Sequence, residues 1–135
     1  MAGEGSDSPI GSEELVSARQ GGSIRLYHGT NLGSANHMEA HGLDEMAARQ
    51  YNGGGEFWAT TDPAIADWFA AVNQSSPPAA RFEFDLPSAI MAQLMNSFPL
   101  EVIEHRGSYV AYELLPNSFP VVNLYMVNRV VVPLP

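Results

Sequence analysis

Ser23-Ile24-Arg25-Leu26-Tyr27-His28-Gly29-Thr30 sets the strand pattern against which the other segments are placed. Ile24, Leu26 and His28 alternate with Arg25 and Tyr27, the period-two pattern of a strand with one face on a core. Residues 23–28 are therefore expected as a strand that Gly29-Thr30 ends, since glycine permits a turn that other residues resist. A helix over 33–40 should follow, closed by His41-Gly42 with Gly42 at the C-terminal cap, and 43–50 reads as a second helical turn. Residues 56–60, aromatic and Thr-rich, form a second strand. Thr61-Asp62-Pro63 starts a helix, with Pro63 at its first position. The stripe Ile65, Trp68, Phe69 and Val72 along it reads as core packing.

Beyond the loop at 74–79, residues 81–86 form a third strand with Phe82, Phe84 and Leu86 on one face. A helix over 89–96 carries Ile90, Met91 and Leu94. A short strand at 100–103, a turn at Arg106-Gly107 and a strand at 108–115 come next. Residues 117–123 read as a short helix or turn. Residues 124–134 form a last strand, nearly all apolar and so expected to be largely buried. Strands crowd toward the C-terminal end with short links, which favours α+β with antiparallel pairing over a parallel α/β sheet. There is no GxGxxG and no P-loop, so a dinucleotide would need a different kind of site.

Residues 1–22 hold Gly, Ser, Asp and Glu and close on Gln20-Gly21-Gly22; they read as a flexible polar leader or linker, with a short helix at 12–19 that Ser12 can cap. Residues 23–135 then make one domain, and a hydrophobic share of 45% is enough for one core. The leader lacks the basic and apolar regions of a secretory signal, so export would need another route, such as delivery within a larger secreted toxin. No apolar run is long enough to cross a bilayer.

The chain has no cysteine, which excludes disulfides, thiolate nucleophiles and Cys-ligated zinc. His37 and His41 have helical ligand spacing, but Met38 stands where the HExxH zinc motif needs Glu, and the pair reads as solvated helix positions. The net charge is −9, with six Arg and no Lys. Scattered Arg make no basic patch for a phosphate backbone, so binding of nucleic acid through bulk charge is not expected. A basic protein partner suits the acidity better.

Three local features carry chemistry. Leu26-Tyr27-His28-Gly29-Thr30 puts an imidazole and bare backbone at a strand end. Gly54-Gly55-Glu56-Phe57-Trp58-Ala59-Thr60 pairs glycines with an aromatic platform, ahead of a helix bearing Ala64, Ala66, Phe69 and Ala70. Tyr109-Val110-Ala111-Tyr112-Glu113-Leu114-Leu115-Pro116-Asn117-Ser118-Phe119 places the carboxylate of Glu113 inside an apolar strand, where desolvation requires a use or a partner. Each has a structural explanation when taken alone: a surface His, core aromatics, an outward-facing acid.

Together, over about 24–135, they resemble the ADP-ribosyltransferase family, in the His-Tyr-Glu branch that includes diphtheria toxin and the poly(ADP-ribose) polymerases, and within it small bacterial toxin-type domains. Residues 26–30 match the first motif and 55–60 the second, with Phe57 on the usual Tyr. The segment ending Phe119-Pro120-Val121-Val122-Asn123 resembles the last motif region. The resemblance implies two small, mostly antiparallel sheets forming an NAD cleft with flanking helices. It implies that Tyr27, His28, Gly29, Thr30, Phe57 and Trp58 bind NAD as substrate. His28 would bond the nicotinamide-side ribose, the Gly29 backbone the carboxamide, and Phe57 with Trp58 would stack on the nicotinamide. A catalytic acid would stabilise the oxocarbenium-like charge as nicotinamide leaves.

The position of that acid stays open. Alignment back from Pro116 and Phe119 puts it on Ala111, and alignment on Tyr-x-x-Tyr puts it on Ser108. Glu113 lies on the same strand face as Ala111, two residues on. Either Glu113 is the acid, or the domain is a non-catalytic NAD-binding relative, or Ala111 stands in place of a glutamate. The implied activity is transfer of ADP-ribose to a macromolecular target, protein rather than nucleic acid, acting in the cytoplasm, with no metal, no membrane, and a cognate immunity protein or antitoxin as partner. NAD glycohydrolysis and a catalytically dead NAD- or ADP-ribose-binding module are the alternatives.

Overall fold

Leu26, Phe82, Phe84 and Leu86 are fully buried and sit on one face of neighbouring strands, so the period-two pattern sets the sheet. The computed structural model describes residues 22–51, 55–73 and 78–135. The leader up to residue 21, its short helix, and parts of the loops at 51–55 and 74–79 lie outside the described residues. The elements in order are β1 (Ser23–Asn31), α1 (Leu32–His41), α2 (Glu45–Tyr51), β2 (Phe57–Thr60), α3 (Pro63–Asn73), β3 (Ala79–Pro87), α4 (Ser88–Ser97), β4 (Val102–Arg106), β5 (Val110–Leu114), a 3-10 turn (Pro116–Ser118), α5 (Phe119–Tyr125) and β6 (Val127–Pro133). The class is α+β, as expected.

The strands form one open sheet in the order β4-β5-β2-β1-β3-β6, and every neighbouring pair is antiparallel. The expectation of two small sheets is thereby corrected to one. Its halves are nonetheless joined narrowly. β1 pairs with β3 along its whole length, from Ser23↔Pro87 to Asn31↔Ala79, but meets β2 at the single pair Tyr27↔Thr60. Among the described residues no further β1–β2 pair forms beyond it.

Helices cover both faces. Ala35 and Met38 of α1, Ile90, Met91 and Leu94 of α4, and Phe119, Val122 and Tyr125 of α5 join the Leu26 face in one apolar cluster. α3 lies on the opposite face. There Arg81 binds Asp67 of α3 through both carboxylate oxygens, at 2.7 and 2.8 Å, and Glu83 at 2.8 Å. Glu83 also holds Arg25 at 2.9 Å, and Arg25 holds Asp85 at 3.1 Å. Burial alone would raise the Glu83 carboxyl, but Arg81 and Arg25 hold it below its usual value.

Three expectations change. β1 does not end at Gly29 but runs on to Asn31, whose side chain caps α1 by accepting from Ser34 N–H at 2.8 Å. Gly29 is required for close approach instead: a Cβ there would lie 1.9 Å from the Ala66 carbonyl oxygen and 2.7 Å from the Ala70 nitrogen. α3 accordingly turns its small residues to the sheet. Ala66 and Ala70 are buried while Trp68 is 58% and Val72 51% exposed, which overturns the reading of Ile65, Trp68, Phe69 and Val72 as a core stripe. Finally β6 is an edge strand with alternating exposure, Val130 being 40% exposed, rather than a largely buried one.

A tie between distant parts had no visible signal in the sequence. The Asn123 side chain on α5 accepts from Leu43 N–H at 2.7 Å and donates to the Leu43 carbonyl at 2.9 Å. Gly42, at φ +80°, makes room for it, because a Cβ there would sit 2.6 Å from Asn123 Oδ1.

Candidate functional site

Where β1 and β2 splay, a cleft of about 1300 Å³ opens, larger than a typical drug-sized site (~300–1000 Å³). Its inner end is lined by Tyr27, His28, Gly29 and Thr30 from β1, by Phe57, Trp58 and Thr60 from β2, and by Ala111 from β5. The two motifs read from the sequence thus meet at one place. Phe69 of α3 and Tyr109, from the second and third sequence features, also line it, their rings edge-to-face at 6.4 Å. The far end runs along α1 and α2, past Asn31, Ser34, His37, Asp44 and Met46.

His28 bridges the splay. Its Nδ1 lies 2.6 Å from the Trp58 carbonyl oxygen. A carbonyl only accepts, so Nδ1 carries the proton and Nε2 is left as an acceptor in the neutral ring. The ring stacks on Phe57 at 4.1 Å between centroids, and Phe57 packs in turn toward Phe84. Part of the ring edge meets the cleft, yet the ring is deep enough that burial pushes its pKa down to about 4, against the pull of the Trp58 bond.

This has a consequence for stability. The unfolded ring titrates near 6.5, so between about pH 6.5 and 4 the unfolded chain binds a proton that the folded chain refuses. Stability from this site is present above pH 6.5, falls as pH drops toward 4, and is flat below. Urea unfolding should therefore show wild type losing about 2 kcal/mol more than His28→Phe between pH 7 and 4.5. Parallel curves for the two proteins would contradict the buried neutral ring.

Phe57 is buried, with one face taken by His28. Trp58 points to the other sheet face, where its ring lies 4.9 Å from that of His105. The three candidate acid positions separate. Ala111, buried and opposite Thr60, lines the cleft. Glu113 is not among the lining residues; its carboxylate binds His105 Nε2 at 3.1 Å. Ser108 lies in the β4–β5 turn, in a small recess of about 270 Å³ that shares Trp58, Tyr109 and Ala111 with the cleft.

No Arg lines the cleft among the described residues, whereas Asp44 and Glu56 do. Asp44 is held below its usual pKa by the Met46 N–H and by His37, 3.2 Å away. Arg25 and Arg81 are engaged in the ion chain under α3, and Arg106 in a pair with Glu104. The positive potential available is the N-terminus of α1, whose Asn31, Gly33 and Ser34 face the cleft. His37 and His41 are ring neighbours at 4.8 Å, and among the described residues no three His, Asp or Glu side chains gather as metal ligands. No helix among the described residues is long and apolar enough to cross a membrane. No family model, curated protein or solved structure matches this chain.

Proposed function

We propose that this chain is an NAD-binding domain of the ADP-ribosyltransferase type, which places the nicotinamide end of NAD at the β1–β2 splay and transfers ADP-ribose to a macromolecular acceptor. The observation that carries the reading is the pinned, neutral His28 beside Gly29 and Phe57 at the inner end of a cleft of about 1300 Å³. Its Nε2 accepts a ribose hydroxyl. The Gly29 backbone, which lines the cleft at the splay, holds the carboxamide. Phe57 gives an apolar floor and the α1 N-terminus faces the pyrophosphate. In the reaction the C1′–N bond breaks and its electron pair leaves with neutral nicotinamide. The acceptor nucleophile bonds C1′ and gives up its proton.

The acid position we assign is 111, because that residue lines the cleft and Glu113 does not. Alanine there favours a second reading: a module that holds NAD or ADP-ribose with little or no turnover. The net charge of −9 supports a protein acceptor over nucleic acid. Cytoplasmic action as a toxin or effector, and a cognate immunity protein or antitoxin, belong to the same proposal. Radiolabelled NAD incubated with the chain and a cell lysate tests it. Nicotinamide release with label on a protein supports transfer, and release with free ADP-ribose supports hydrolysis. Binding without release supports the silent module, and no binding at all refutes the proposal.

A further inference from the structure

Beside the cleft, His105 stands directly opposite Ala111 in the β4–β5 register, two residues along β5 from Glu113. Glu113 is the more buried partner, its side chain 19% exposed against 47% for His105. The carboxylate accepts from Nε2 at 3.1 Å, which leaves Nδ1 as a bare acceptor. Trp58 flanks the ring. His105 and Ser108 line the small recess, and Ala111, Trp58 and Tyr109 form the wall it shares with the cleft. A histidine oriented by a half-buried carboxylate, lining a small opening next to the reacting end of the cleft, has the layout of a general base.

We propose that His105, positioned by Glu113, is the base that deprotonates a hydroxyl acceptor entering through this recess. The inference rests on the transferase reading and names its acceptor chemistry. A hydroxyl needs a base as it attacks, whereas a carboxylate would need none and would meet Glu113. The step balances: the acceptor O–H proton passes to His105 Nδ1 as oxygen bonds C1′, and the C1′–N electron pair leaves with nicotinamide. The imidazolium, held by the Glu113 carboxylate, then returns its proton to water. The hydroxyl belongs either to a protein side chain or to water, and the products tell which.

The test measures NAD affinity, nicotinamide release and label transfer from a lysate, for the chain as it stands and for Ala111→Glu, each also with His105→Ala, His105→Phe or Glu113→Gln. His105→Ala should cut turnover at least about 100-fold, with NAD affinity unchanged within about twofold, and added imidazole should restore part of it. His105→Phe, which keeps a ring against Trp58, should be equally slow. Glu113→Gln should be slower by about tenfold. Labelled protein should resist neutral hydroxylamine, as an O-glycosidic bond does, and label found only as free ADP-ribose identifies water as the hydroxyl. Full turnover without His105, no rescue by imidazole, or a hydroxylamine-labile product overturns the inference and leaves the transferase reading standing. Failure of both backgrounds to bind NAD or release nicotinamide overturns both.

Discussion

Ala111→Glu should raise the rate of nicotinamide release from NAD by about 100-fold or more. Residue 111 is buried, lines the cleft, and lies opposite Thr60 on one side and His105 on the other. A carboxylate there would face the positive charge that develops as nicotinamide leaves. One well-placed electrostatic partner of this kind is worth about 10²–10³ in rate. Space exists for the side chain, because both the cleft and the recess adjoin residue 111. The measurement is nicotinamide release at saturating NAD for both proteins, with unfolding curves to show that each is folded. Equal rates would remove residue 111 as the acid position. If the rate were equal and Glu113→Gln abolished it, the acid role would pass to Glu113.

Gly29→Ala should destabilise the fold by about 3 kcal/mol or more, the upper end of overpacking costs. A methyl group at this position meets backbone, not a flexible side chain. The 1.9 Å approach to the Ala66 carbonyl and the 2.7 Å approach to the Ala70 nitrogen can be relieved only by moving α3 away from β1. Gly33→Ala is the control. Its nearest neighbour is Asn31 Oδ1 at 3.4 Å, ordinary contact, and alanine is the better helix former. Urea unfolding of the two variants should therefore diverge, with Gly33→Ala near wild type. A Gly29→Ala protein of wild-type stability that had lost only NAD affinity would show that this glycine serves the ligand and not the helix.

The alternation in β1 and β3 was legible because Leu26, Phe82, Phe84 and Leu86 each spend their side chain on one face, and such a pattern has a single reading. The convergence of His28 with Phe57 was legible through the two motifs that the resemblance joined. Other features were not, each for a physical reason. Trp68 and Val72 have helical spacing with Ile65 and Phe69, and periodicity cannot say which side of a helix faces the sheet. Here the choice fell to the small residues that fit over Gly29. The single pair between β1 and β2 leaves no mark on either strand's composition. Asn123 reaches Leu43 across 80 positions, and His105 gains its meaning only from the register that puts it opposite Ala111. Glu113 carried the right signal, a carboxylate in an apolar strand, and its partner proves to be a histidine on the neighbouring strand.

Binding of NAD at the β1–β2 splay through His28 is read without intermediates by calorimetric titration. The pair to compare is the wild-type chain and His28→Phe, which keeps the ring stack on Phe57 and removes both nitrogens. Saturable binding by wild type, weakened at least about tenfold in His28→Phe (about 1.4 kcal/mol), is the predicted result. No binding by wild type, or equal binding by a folded His28→Phe, would contradict the account.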